Sequence, residues 1–294
     1  MHKKLNILIF FFGLLGAFQS SFAAQQCQLS NDWYLPAKAL AGTQQQIFSQ
    51  LPKTGILLLG EHHANTAHHV WQLEVIKAAY QQQKKLILGL EMMPRSAQAT
   101  LDAWVDSKID RETFLQQSKW LHYWSDNFDD YFPILEFAQQ NHIPLVALNV
   151  SQELLQGVST VGWEGVPPDH REGVGDPAAP GKDYIQKIAR SFTRHLTPGA
   201  PIDKEAFKRF YQQQLIWDRA MAEALHKTAQ QNQDHLLIGL MGSWHIIDKE
   251  GVPYQLADLG IKQVTTLVPW SEHINCSSLT PTFADAVYGL TVQQ

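Results

Sequence analysis

Cysteine is nearly missing from this chain: its 294 residues contain two, Cys27 and Cys276. That excludes a disulfide-dense scaffold and a four-cysteine zinc site. Charge is scarce too, at 17% of residues, and its balance is acidic, with a formal net charge of −5. Such a chain has no basic face for general nucleic-acid binding, so no nucleic acid is expected as a partner. Low charge together with nine Trp, eight Tyr and 14 Phe also argues against intrinsic disorder. Past the amino end no apolar run reaches about 18 residues, so no membrane-spanning helix is expected there. Internal repeats and low-complexity tails are missing, as are the G-x-S-x-G, P-loop, H-E-x-x-H and C-x-x-C motifs. What the chain does have is histidine, 13 residues, and these cluster.

Residues 1–23 read as a secretory signal peptide. Lys3 and Lys4 give a positive start, Leu5 to Phe18 is an apolar run, and Ser21 and Ala23 are small residues at −3 and −1 of a cleavage site. Removing this segment takes away two lysines and no acid, so the remaining chain is more acidic. Gln26 stands where lipoprotein processing wants a small residue before Cys27, so a lipid anchor is not favoured. The protein is therefore expected to be exported, either periplasmic or associated with the outer membrane. In an oxidising compartment Cys27 and Cys276 are the only intramolecular pair available, and a disulfide between them would tie the two ends of the mature chain.

Five short aliphatic runs predict buried strands: Ile56–Leu59, Leu86–Leu90, Leu145–Leu148, Leu236–Leu240 and Val264–Val268. Helical patterns separate them, over Thr66 to about Gln83, Ala97–Asp106, Arg111 to about Ser118, Asp129–Asn141, and Asp203 to about Gln230. This alternation predicts an α/β fold with a mainly parallel open sheet flanked by helices, in a single domain over 24–294. Between Gly157 and Gly181 stand six glycines and four prolines. That composition predicts a long Gly/Pro-rich insertion.

The strand ends carry the chemistry. Strand one runs into Gly60, Glu61, His62 and His63; strand two into Glu91; strand three ends at Asn149; strand four runs into Gly242, Ser243, Trp244 and His245. In a parallel sheet these ends share one edge, the ligand-binding edge of such folds. Glu61, His63, Glu91 and His245 are therefore expected to converge as a catalytic set. Two carboxylates and two imidazoles can activate water or pass protons, and His63, Glu91 and His245 can hold a divalent metal ion. Either Asn65 or Thr66 caps the next helix; His68 is read as a surface residue, while His69 stands evenly between surface and site. On the long helix Phe207, Phe210, Tyr211, Met221, Ala222 and Leu225 mark a buried face that includes Gln214 and Asp218. Asp218 either orients a site histidine or forms an ion pair with Arg219 or Arg95. Trp71, Trp104, Trp120, Tyr123, Trp124 and Tyr131 are read as core before ligand walls.

The ordered series Gly60-Glu61-His62-His63, His68-His69 with Gln72, Gly89-Leu90-Glu91-Met92, Trp120 and Trp124, Tyr131 to Leu135, Ala147-Leu148-Asn149, Trp217 to Ala222, and Gly242-Ser243-Trp244-His245 resembles the ChaN family over roughly residues 47–270. That family is grouped with the TraB and TIKI proteins and the erythromycin esterases. The resemblance implies an iron-regulated envelope protein linked to haem uptake. It implies haem bound through a tyrosine and paired across a homodimer, with outer-membrane uptake partners. Tyr131 is the best-matched ligand, ahead of Tyr123 and Tyr254, with His69 and Asp218 as further cofactor-facing residues. TIKI-like relatives imply a metal-dependent protease on His63, His245 and Glu91. Erythromycin esterases imply water activation by Glu61 and His63. Two functions follow: a haem or iron handler, or a hydrolase.

Overall fold

The computed structural model describes residues 31–124, 128–194, 201–270 and 279–290. The expected signal peptide and the Cys27–Cys276 pair lie outside the described residues. All five aliphatic runs form strands, and three shorter strands join them. The strands are β1 (Trp33–Leu35), β2 (Leu40–Gly42), β3 (Gly55–Glu61), β4 (Leu86–Pro94), β5 (Leu145–Asn149), β6 (Leu236–Gly242), β7 (Val264–Trp270) and β8 (Ala286–Gly289). They make one open sheet in the order β2-β1-β8-β7-β3-β6-β4-β5. Every pairing from β8 to β5 is parallel, and β1 adds the antiparallel pairs with β8 and β2. The sequence periodicity missed β1, β2 and β8 because runs of three or four residues carry too little pattern.

Alternate residues of a strand face opposite sides. In β3, Leu57 and Leu59 enter one core while Ile56 and Leu58 enter the other. Both sides are covered, which is why these strands are aliphatic throughout rather than alternating. Helices α1 (Gln44–Ser49), α2 (Thr66–Gln82), α3 (Gln98–Val105), α4 (Arg111–Gln117), α5 (Trp120–Tyr123) and α6 (Phe128–Gln140) supply residues to the first core. The second core takes Met221, Ala222 and Leu225 of α9 (Lys204–Gln231) and Val252 and Leu256 of α10 (Val252–Asp258). The remaining helices are α7 (Gln152–Val161) and α8 (Lys182–Arg194). Among the described residues no helix is long and apolar enough to cross a membrane.

Three expectations change. The Gly/Pro-rich insertion is shorter than its composition suggests. Its first five residues complete α7, whose chain leaves at Gly162 with a φ of 76°. The rest folds back on α9, with Trp163, Val166 and Val174 packed against Ile216 and Ala220. Trp163 Nε1 donates to Asp176 at 2.7 Å, and Arg171 donates to the carbonyls of Val166 and Trp163. Second, Phe207, Phe210 and Tyr211 are only half-buried, because the first half of α9 lies against α8 rather than the sheet. Third, His68 is 0% exposed, not a surface residue. Its Nδ1 accepts the amide of His62 at 2.9 Å, so it fixes the turn after β3. Burial and the neighbouring His62 and His69 push its pKa down to about 3, which keeps that acceptor neutral. Asn65 is the cap of α2, accepting from the Ala67 amide at 3.1 Å.

Candidate functional site

The carboxyl ends of β3, β4 and β6 bring the predicted residues to one edge. Glu61 follows Leu57 and Leu59 in alternation, so it leaves the sheet toward α2 and α6. Glu91 follows Ile87 and leaves on the α9 side. The pairing of β4 with β5 shifts register between Leu90 and Pro94, and Met92 and Met93 both enter one core, as at a bulge. Asn149, at the end of β5, donates from Nδ2 to the Glu91 carbonyl at 2.9 Å and steadies that bulge.

On the α2 side Glu61 is fully buried and saturated with donors. His63 Nδ1 donates to Oε1 at 2.8 Å, and the Tyr131 hydroxyl to the same oxygen at 2.6 Å. Gln72 Nε2 donates to Oε2 at 3.0 Å, and His69 Nδ1 lies 3.5 Å from it. His69 Nε2 donates to the His63 carbonyl at 2.9 Å. Burial alone would raise the Glu61 pKa. The hydrogen bonds from His63 and His69, and the charges of both rings, outweigh it and hold the carboxyl well below its usual range. The His63 pKa is raised: burial opposes this, but the bond to Glu61 and the nearby Glu91 charge prevail.

On the α9 side His245 sits between two carboxylates. Its Nδ1 donates to Asp218 Oδ1 at 2.6 Å, and its Nε2 lies 3.4 Å from Glu91 Oε1. Asp218 also accepts from the Tyr184 hydroxyl of α8. Burial disfavours a charged ring, but Glu91 and Asp218 together lift the His245 pKa to about 10. Glu91 Oε2 accepts the Gly242 amide at 2.6 Å. Among the described residues Glu91 Oε1 and Ser243 Oγ are buried without a hydrogen-bond partner. Of the two alternatives for Asp218, the structure shows the first. Arg219 pairs instead with Glu223 and Asp258, and Arg95 with Glu223.

The two arrangements meet over Gly242. A Cβ there would stand 3.0 Å from His63 Nε2 and 3.6 Å from His245 Cδ2. The backbone beside His245 also demands glycine: Gly251 has φ 60° and ψ −123°, and a Cβ on it would lie 2.4 Å from the His245 carbonyl. A cleft of about 310 Å³ opens beside His245, walled by Tyr184, Ile188, Phe210 and Trp244. Trp124 packs edge-on against His63, with ring centroids 4.5 Å apart.

Glu61, His63, Glu91 and His245 thus share one edge, with His69 and Tyr131 behind Glu61 and Asp218 behind His245. The geometry does not support the divalent-metal expectation for His63, Glu91 and His245. Among the described residues no three His, Cys, Asp or Glu side chains form a group able to hold a metal ion. Tyr131 is 2% exposed, donates to Glu61, and receives Trp124 Nε1 at 3.3 Å. Burial and the Glu61 charge push its pKa up, against a phenolate. The expectation that the aromatics are core holds for Trp71, Trp104 and Trp120. Tyr184 was missed, although Tyr184, Ile188 and Phe192 stand four residues apart, as one stripe of a helix does. Tyr123 is half-buried, and Tyr254 is exposed with its hydroxyl on the Ala179 carbonyl at 3.0 Å.

For haem, the donor set fits. His63 reaches solvent with a side chain 35% exposed; Nδ1 is fixed on Glu61, and Nε2 makes no hydrogen bond among the described residues. Aromatic walls stand beside it and beside His245. One solved structure agrees on the fold. A structure described as cofacial heme binding to ChaN of Campylobacter jejuni superposes with a TM-score of 0.68 at 20% identity, covering 87% of this chain and 96% of that one. An erythromycin esterase mutant in its open conformation gives a TM-score of 0.48 at 12% identity, over 81% of this chain and 77% of that one. Protein RETICULATA-RELATED 5, chloroplastic, of Arabidopsis thaliana is 24% identical over 169 residues, 54% of this chain. The match spans only 22% of that plant protein's length. The family model for haem-binding uptake proteins, Tiki superfamily, ChaN, matches residues 47–256. With the matching fold and the strand-end residues in place, the chain belongs to the ChaN family of the Tiki superfamily.

Proposed function

We propose that this chain binds haem at the carboxyl edge of its sheet and serves haem or iron uptake as an exported protein of the bacterial envelope. Family membership supports the ligand, and the signal-like segment over 1–23 supports export. The observation that carries the reading is His63: a partly exposed imidazole, anchored by Glu61, without a hydrogen bond at its other nitrogen among the described residues, and packed against Trp124. When bound, haem supplies an iron centre that accepts axial ligands from side chains. The protein's part is to present such a ligand rigidly and to cover the porphyrin with apolar surface. Pairing of two copies and contact with outer-membrane uptake partners belong to the same reading. Haem titration of the purified chain tests it. A Soret band shift saturating at a fixed stoichiometry is expected, and no spectral change at stoichiometric haem sinks the reading.

A second reading is hydrolysis, favoured by one observation. Glu91 Oε1 is buried beside the His245 ring and accepts no hydrogen bond among the described residues, and a haem pocket does not require such a carboxylate. In this reading the Glu61–His63 pair takes a proton from water, and His245 donates toward the developing charge. Ester and peptide turnover by the wild type, abolished in Glu61→Gln and His245→Ala, is the expected result. Equal turnover in all three proteins overturns it.

A further inference from the structure

We propose that Gln98 stands in for a ninth strand: its carboxamide closes the open edge of β5 and keeps a second copy of this chain from pairing there. This is independent of the haem and hydrolase readings. β5 is the last strand on the parallel side of the sheet, and among the described residues β4 is its only strand neighbour. Its inner edge faces β4, where the Pro144 carbonyl accepts the Leu88 amide at 2.9 Å. On the outer edge Gln98 Nε2 donates to the Leu145 carbonyl at 2.8 Å, and Gln98 Oε1 accepts the Ala147 amide at 2.9 Å. In a parallel ladder one residue of a neighbouring strand makes this same pair of bonds, to the residues on either side of its partner. Here that partner is Val146. The side chain reproduces the hydrogen bonding of a strand with no strand present.

The position is built for this. Gln98 opens α3 shortly after Pro94 ends β4, so the chain turns back over the edge at once. Asp102, one turn along α3, accepts from Gln98 Nε2 at 2.9 Å. That bond sets the amide's orientation, with oxygen toward Ala147 and nitrogen toward Leu145. The strand underneath needs a cover. β5 is aliphatic up to Asn149 and carries neither charge nor proline, the kind of edge that pairs with copies of itself. The other end of the sheet is protected differently: β2 has three residues, and such a short strand offers little to pair with even though Leu40 is 59% exposed. At β5 there is room for a partner. A groove of about 660 Å³ runs beside this edge, floored by Val146 and Ala147. Its rim carries both signs of charge, from Arg95 and Lys227 and from Glu172 and Glu223. A copy related by a two-fold axis brings the same mixed rim and the same uncharged strand, and is not repelled.

Amide hydrogen exchange and mass by light scattering, on the full chain, test this. In wild type the Ala147 amide should exchange slowly although it lies on the outer edge of the sheet. In Gln98→Ala at low concentration it should exchange about tenfold faster, and the mass should rise above that of wild type as concentration increases. Gln98→Ala combined with Ala147→Pro removes the outward donor as well, and an edge strand tolerates proline where the missing N–H faces outward. This double variant should return to the wild-type mass. Unchanged Ala147 exchange in Gln98→Ala would overturn the closure. An unchanged mass at every concentration would overturn the exclusion of a second copy. Association that persists in the double variant would overturn it too, because the contact would not use this edge. Far-ultraviolet circular dichroism of Gln98→Ala should match wild type; a lost helical signal accompanying the mass increase would assign the association to unfolding and overturn the proposal.

Discussion

His63 and His245 are both histidines at strand ends, both hydrogen-bonded to a buried carboxylate through Nδ1, and they approach the same glycine. They are nevertheless built for different work. His245 is 8% exposed, lies between Asp218 and Glu91, and is held charged. His63 has one carboxylate, a second nitrogen without a hydrogen bond among the described residues, and a face toward solvent. One sheet edge therefore carries a locked ion cluster on its α9 side and a presented imidazole on its α2 side. An imidazole's chemistry is decided by what occupies its second nitrogen, not by its sequence motif.

The largest effect should come from breaking the locked side. Asp218→Ala leaves the Tyr184 hydroxyl and the His245 Nδ1–H unpaired in a buried site and should cost about 3–5 kcal/mol in urea unfolding. The position of any haem band should stay the same. A loss below about 1 kcal/mol would show that the cluster is not locked.

The pH response should belong to His245 as well. Its folded pKa of about 10 lies above its unfolded value of 6.5, so its contribution is fully present below pH 6.5 and is lost as pH rises through 10. Stability should decline across that window, and Asp218→Asn should shift the decline to lower pH. The Glu91 pKa is lowered against burial by the His245 charge, so its contribution is present above pH 4.5 and falls away on acidification. A flat thermal-unfolding profile between pH 7 and 10 would contradict the charged ring.

A smaller effect is expected from Gly251→Ala. The backbone strain alone costs about 1–3 kcal/mol, and the clash with the His245 carbonyl adds to it. Chemical-shift changes should centre on His245 and spare His63. The smallest stability change should come from His63→Gly, about 1 kcal/mol, because Glu61 keeps Tyr131 and Gln72. Among all these variants it should show the greatest loss of haem affinity. If Asp218→Ala and His63→Gly were alike in both stability and binding, the distinction between the two sides would fail.

Much of this edge was legible in the sequence. Aliphatic runs ending in Glu61, Glu91 and Gly242 marked three parallel strands, and parallel strands carry their carboxyl ends to one side. What stayed hidden was which oxygen meets which nitrogen. Tyr184 and Asp218 are 34 residues apart, on helices with no shared pattern, so no spacing rule pairs them. His68 looked like an exposed residue at a helix start, because nothing in the series shows that its ring turns back to accept the His62 amide. The Gly/Pro-rich stretch read only as a long insertion, because composition reports turn chemistry and not the Trp163, Val166 and Val174 contacts that anchor it. Tyr131 was selected by family likeness as an iron ligand, and its burial behind Glu61 was visible only in three dimensions.

The sequence by itself determined the α/β class, five of the parallel strands and the edge on which the ionisable residues gather. These follow from local hydrophobicity and from the one-way chirality of parallel strand crossovers. Tertiary structure alone decided that His245 is locked and charged while His63 keeps one nitrogen without a hydrogen bond among the described residues. Protonation and hydrogen-bond partners depend on distances of a few ångströms between residues far apart in the chain, and a linear order does not contain those distances.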